Sequence, residues 1–141
     1  MTYKFTNAIV RKPNKSIHNA LSSQYLHPSY EKILEIHNNY ITSIEEAGLN
    51  TILLESLEQY PDSIFVEDPA LIFKNNIIVL NPSDVTRNGE AKIIKNEISK
   101  YFENIFVVEK GKIEGGDILN INNHFIIGLS NRTDKLGAGN L

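Results

Sequence analysis

The sequence predicts an α/β protein built from repeated strand–strand–helix–strand units, and three observations lead there. β-rich segments alternate with segments of helical spacing along all 141 residues. Two apolar hairpins repeat at an offset of 47 residues, laying Asn75-Asn76 on Asn122-Asn123, Ser83 on Ser130 and Ala91 on Ala138. Units of that length cannot bury their own faces alone and need neighbours. A single domain over residues 1–141 is therefore expected, with about two and a half units present. Ser130 to Leu141 corresponds to the loop and first helical turn of a unit, so the chain is expected to end inside its third unit.

Each element has a local reason. Phe5 to Val10 alternates as a strand and runs into a long polar loop from Arg11 to about Pro28. Ser29 then caps a helix whose Ile33, Ile36, Tyr40, Ile41 and Ile44 recur at helical spacing, and Ala47-Gly48 ends it with a residue that tolerates the left-handed cap. Asn50 to Leu54 returns as a short strand. Ile64, Phe65 and Val66 make Ser63 to Asp68 a further predicted strand. A hairpin follows over Leu71 to Leu80, turning at Lys74-Asn75-Asn76. A second helix covers Gly89 to Phe102 with Ala91, Ile94, Ile98 and Phe102 on one face, and Ile105 to Val108 forms another strand. A final hairpin spans Asp117 to Leu129 and turns at Asn122-Asn123.

Composition excludes several function classes. With 41% apolar and 22% charged residues the chain is globular rather than disordered. Its net charge of −3, with scattered lysines, carries no nucleic-acid footprint and no polybasic membrane patch. The longest apolar runs fall far short of the roughly 20 residues of a spanning helix, and no signal-peptide core opens the chain, so a cytoplasmic protein is expected. There is no cysteine, which removes disulfides, thiolate metal sites and a thiol nucleophile from these residues. None of His18, His27, His37 and His124 has metal-ligand spacing, and neither metal nor cofactor is expected.

Three constellations carry chemistry. Asp62, Glu67 and Asp68 place three carboxylates in a stretch otherwise suited to burial, which is costly unless a cation or several donors meet them. A planar guanidinium satisfies such a cluster; so does an internal Arg or Lys, or plain exposure. Arg87 and Arg132 each follow an apolar strand and precede a helix start, where the macrodipole disfavours cations. Two arginines suit a carboxylate clamp. Glu114-Gly115-Gly116-Asp117 sets two glycines between carboxylates directly before a strand, permitting a tight turn or a close backbone approach.

Taken together, Pro61-Asp62-Ser63-Ile64-Phe65-Val66-Glu67-Asp68, Arg87 with Glu90, Glu114-Gly115-Gly116-Asp117 and Gly128-Leu129-Ser130-Asn131-Arg132-Thr133 resemble dimethylarginine dimethylaminohydrolase in order and spacing. The resemblance runs from Ala8-Ile9-Val10-Arg11 to Gly137-Ala138 and covers about the N-terminal half of that enzyme. It implies the pentein fold, a five-bladed α/β propeller of ββαβ units shared with arginine deiminases and amidinotransferases. It also implies an arginine derivative as the small-molecule substrate. Asp62, Glu67 and Asp68 would surround its guanidinium and amine, Arg87 and Arg132 would hold its carboxylate, and Leu21 and Phe65 would complete the substrate-binding set. Glu114 would orient a catalytic histidine, while a cysteine attacks the guanidinium carbon.

That cysteine is absent here, and no histidine of the chain matches the family's. The resemblance therefore implies a substrate-binding half, inactive alone, that self-associates or awaits a C-terminal half. An arginine deiminase or amidinotransferase relative, and a non-catalytic arginine-binding fragment, remain open beside the methylated-arginine hydrolase.

Overall fold

The computed structural model describes residues 5–22, 29–87, 89–121 and 124–141. The chain separates into two compact units, Met1–Val66 and Glu67–Leu141.

In the first unit, strand β1 (Asn7–Arg11) pairs in parallel with β2 (Asn50–Leu54), Ile9 standing beside Ile52. Parallel neighbours need a crossover, and helix α1 (Tyr30–Glu46) provides it. Ser29 precedes α1 in extended backbone, as expected of a cap, yet its hydroxyl donates to Glu31 Oε2 at 2.6 Å rather than capping the helix N–H groups. The loop after β1 contains a 3-10 turn, Lys15–Asn19, that buries Ile17. Residues 23–28 of that loop, with His27, lie outside the described residues. His37, on α1, is buried, and desolvation lowers its pKa despite a hydrogen bond with the Arg11 backbone.

The predicted strand from Ser63 to Asp68 does not form. Residues 61–64 and 66–67 are turns, held by Ser63 N to Tyr60 O at 3.0 Å, Phe65 N to Asp62 O at 3.0 Å and Val66 N to Ile64 O at 3.1 Å. Three apolar residues of high β-propensity are outweighed by Pro61 and Asp62, whose fixed φ and short polar side chain favour turns.

The second unit holds two hairpins. Strands β3 (Ala70–Phe73) and β4 (Asn76–Val79) pair antiparallel around a turn in which Lys74 takes φ 56°. Helix α2 (Glu90–Ile98), extended by a 3-10 turn over Ser99–Tyr101, crosses to β5 (Asn104–Val107), which joins β4 in parallel. This is the predicted strand–strand–helix–strand order. Strands β6 (Ile118–Ile121) and β7 (His124–Ile127) form the second hairpin, followed by helix α3 (Lys135–Gly139). Its expected turn, Asn122-Asn123, lies outside the described residues. The repeat is not rigid: the hairpins start at Ala70 and Ile118, one residue beyond the 47-residue offset, while the helices start at Glu90 and Lys135, two short of it.

The core follows from these pairings. Ile77 and Val79 of β4 are buried, α2 packs against β3 and β4, and its Ile94 and Ile98 are buried as their spacing predicts. A second cluster joins Leu80, Val108 and Ile113 to Ile78, Ile118 and Ile127, tying both hairpins together. Phe73 and Phe125 meet edge to face at 5.2 Å. Large apolar side chains stay exposed on β5 (Ile105, Phe106, Val107) and on the second hairpin (Leu119, Ile121, Ile126). Among the described residues, no helix is long and apolar enough to cross a membrane.

Candidate functional site

The acidic stretch divides between the units. In the first, Asp62 is buried and both its carboxylate oxygens accept from the Leu21 backbone N–H, at 3.1 and 3.2 Å. Asn14, also buried, braces the same turn by donating to Tyr60 O at 2.9 Å and Ser63 Oγ at 3.1 Å. The Leu21 and Phe65 side chains are exposed. The polar loop thus supplies the turn with donors, which its composition alone did not reveal.

In the second unit, Glu67 is exposed while Asp68 is largely covered and ion-pairs Arg87. Arg87, 4% exposed, sits at the end of a 3-10 turn, Val85–Arg87. Its Nε donates to Glu90 Oε1 at 3.1 Å and its Nη2 to Glu90 Oε2 at 2.8 Å, a bidentate fork. Burial disfavours the charged guanidinium, but Glu90 and Asp68 outweigh it and raise the Arg87 pKa. This pairing removes the difficulty of a cation beside a helix start. Asp68, expected at the substrate's guanidinium and amine, and Arg87, expected at its carboxylate, are instead in direct contact with each other. The internal-arginine alternative read in the sequence accounts for that contact.

Glu114 is 1% exposed. Its Oε1 accepts from the backbone N–H and the hydroxyl of Ser83 at 3.1 and 3.2 Å, and Arg132 Nη1 lies 3.3 Å from Oε2. More than half of the Arg132 side chain is exposed. Gly115 N donates to Asp68 O at 3.1 Å, and a Cβ at Gly115 would overlap the Glu67 carbonyl, so the glycine is required by a close backbone approach. At Gly116 a Cβ would stand 3.5 Å from Asp68 Oδ1 and 3.9 Å from Arg132 Nη2. A carboxylate and a guanidinium therefore flank the same glycine.

The structure thus forms two polar groups, Asp68–Arg87–Glu90 and Ser83–Glu114–Arg132, that adjoin at Gly115-Gly116. Glu90 was visible only as a neighbour of Arg87, three positions on, and Ser83 only as one member of a repeated serine pair. Among the described residues, no group of three or more His, Cys, Asp or Glu side chains could hold a metal ion.

The arginine deiminase family model matches residues 19–141. The N(G),N(G)-dimethylarginine dimethylaminohydrolase of Pseudomonas aeruginosa is 36% identical over 137 residues, 95% of this chain and 54% of that protein. Its namesake in Streptomyces coelicolor is 27% identical over 140 residues, 95% of this chain and 53% of that protein. A crystallised Pseudomonas aeruginosa enzyme, a mutant complexed with citrulline, superposes with a TM-score of 0.93 at 36% identity, covering 97% of this chain and 55% of the other. The N-terminal domain of a cyanobacterial arginine dihydrolase, at 16% identity and a TM-score of 0.72 over 82% of this chain and 45% of the other, shares the fold. The chain spans about half the length of the curated relatives it matches. The guanidinium and carboxylate chemistry around Gly116 therefore sits on a pentein-type α/β fold, and the chain belongs to the arginine deiminase family, within which it is similar to the N-terminal part of dimethylarginine dimethylaminohydrolases.

Proposed function

We propose that this chain is the substrate-binding half of a hydrolase that converts dimethylarginine to citrulline and dimethylamine, within a pentein propeller of which it supplies about two and a half units. The observation that carries the reading is the pair flanking Gly116: Asp68 offers an acceptor for a cation, and Arg132 offers a donor for a carboxylate. Asp68, Arg87 and Glu90 add a second argument, since carboxylates and a guanidinium already meet in a largely covered place. Arg87 then acts first as an internal counter-ion, and Arg132, less covered, takes the larger share of a substrate carboxylate. For Leu21, Asp62, Phe65 and Glu67 the substrate-binding role rests on the resemblance alone.

Hydrolysis by this route needs a thiolate that bonds to the guanidinium carbon, a proton for the departing dimethylamine, and water that cleaves the thiouronium to citrulline and regenerates the thiol. The 141 residues contain no cysteine, so the thiol must come from outside them. Glu114 is the residue proposed to orient the histidine that moves the proton.

Calorimetric titration of the purified chain with dimethylarginine, arginine and glycine, alongside a citrulline assay, tests this reading. Saturable binding of dimethylarginine, no binding of glycine and no citrulline release are expected. Tighter binding of unmethylated arginine would favour an arginine deiminase relative, the alternative that the family model's description supports. No binding of any guanidino amino acid would overturn the proposal.

A further inference from the structure

We infer that Asp117 is a positioning residue that holds Arg132 and Glu114 in place through the hydroxyls of Ser130 and Thr133. The inference rests on the substrate-binding reading above for its purpose, though its geometry stands by itself.

The argument begins with what a carboxylate can do. Ionised aspartate only accepts hydrogen bonds, so any hydroxyl that meets it must donate and is left with lone pairs facing elsewhere. Asp117 Oδ2 receives two such hydroxyls, Ser130 Oγ at 2.7 Å and Thr133 Oγ1 at 2.7 Å. The orientation of both O–H bonds is thereby fixed. Ser130 Oγ then accepts from the backbone N–H of Arg132 at 2.9 Å and of Thr133 at 3.2 Å. Thr133 Oγ1 accepts from the backbone N–H of Glu114 at 3.2 Å. Ser130 N donates to Thr133 O at 3.0 Å and closes the turn. One carboxylate thus fixes two hydroxyls, and the hydroxyls fix the backbone at both members of the Arg132–Glu114 ion pair.

The arrangement is built rather than incidental. Thr133 is 1% exposed, so each of its bonds is shielded from competing water. Arg132, by contrast, has a largely exposed side chain, and an ion pair with one partner in water is weakened by screening. Its place must come from its backbone. The Thr133 hydroxyl, working against burial and helped by Ser130 and the charge of Arg132, also keeps the Asp117 carboxyl below its ordinary pKa, so the acceptor-only form persists.

The sequence repeat adds an independent line. Ser83 and Ser130 stand 47 residues apart, each follows the second strand of its hairpin, and each donates its hydroxyl to one carboxylate of Glu114-Gly115-Gly116-Asp117. Ser83 serves the first residue of that motif and Ser130 the last. The two glycines between them keep the turn open for Asp68 and Arg132 to approach Gly116.

The test uses Asp117→Ala, Arg132→Ala, the double variant, and the pair Thr133→Val and Thr133→Ser in the intact chain, with dimethylarginine and its decarboxylated analogue as ligands. Losing an oriented charged contact to a carboxylate weakens binding about tenfold, the 1.4 kcal/mol equivalent. Asp117→Ala is expected to weaken dimethylarginine by that factor and leave the decarboxylated analogue within about twofold. The double variant should be no worse than Arg132→Ala, since a residue acting through Arg132 has nothing left to position. Thr133→Ser should retain wild-type behaviour, and Thr133→Val, which leaves Ser130 on the Arg132 amide, should weaken dimethylarginine less than Asp117→Ala while its effect on Glu114 exchange keeps the test decisive if Asp117→Ala does not fold. Amide hydrogen exchange gives a readout independent of ligand: Asp117→Ala or Thr133→Val should speed exchange at Glu114, and Asp117→Ala at Arg132 and Thr133 as well. Equal weakening of both ligands, additive losses, or unchanged exchange at these amides would overturn the inference. Wild-type protein that binds neither ligand yet shows the predicted exchange would instead sink the substrate reading and leave the positioning role standing.

Discussion

The two units treat a buried carboxylate in opposite ways. In the first, Asp62 accepts from the neutral backbone N–H of Leu21, inside a turn braced by Asn14. In the second, Asp68 and Glu90 are met by the full charge of Arg87, and Glu114 by Ser83 and Arg132. The Leu21 contact depends on the chain path, and the Arg87 contacts depend on charge. Substitutions that alter one without the other should therefore separate them.

The largest effect is expected where charge is stripped from the second unit. Arg87→Ala leaves Asp68 and Glu90 facing each other without their cation, and should cost about 3–5 kcal/mol in urea unfolding. Arg87→Lys should recover only part of this, because an ammonium cannot make the fork to Glu90. Next comes Gly115→Ala, whose new Cβ meets the Glu67 carbonyl and should cost about 3 kcal/mol, read from the same unfolding curves. In the first unit, Asp62→Asn keeps an acceptor for Leu21 and should cost under about 1 kcal/mol, while Asp62→Ala orphans a donor and should cost about 1–2 kcal/mol. If Asp62→Asn and Arg87→Ala prove equally damaging, the contrast between the units fails.

The smallest effect is a pH dependence. Burial of His37 lowers its pKa in the folded chain, so the unfolded chain binds the proton more readily. Stability should then be full above the ordinary histidine value of about 6.5 and decline as pH falls below it. A His37→Gln variant should flatten that decline in melting curves taken between pH 7.5 and 5.5. An unchanged slope would show that His37 is not the group responsible.

What could be seen in the sequence depended on range. Helix α1, both hairpins and the order of α2 and β5 follow from periodicity and turn residues, which act over a few neighbours. Ser63 to Asp68 misled because Ile64, Phe65 and Val66 advertise a strand while Pro61 and Asp62, just before them, set a turn. Asp68 and Arg87 were both conspicuous, but nothing in a linear pattern says that residues 19 apart neutralise one another. The hydroxyls of Ser83, Ser130 and Thr133 carry no signature at all, since serine and threonine in loops are commonplace; only the 47-residue pairing of Ser83 with Ser130 hinted at them. The resemblance reached the family, and the geometry then divided its two arginines into one covered and one exposed.

That division has a consequence in time. Arg87 is sealed by charged partners and can leave its rotamer only when the surrounding turn opens, a process of microseconds or longer. The Arg132 side chain, mostly in water on an anchored backbone, reorients within about picoseconds to nanoseconds. One guanidinium is therefore free to turn at once and the other does not move on that timescale. The two guanidiniums thus differ in how soon each can change its direction, and in nothing that the backbone path alone would reveal.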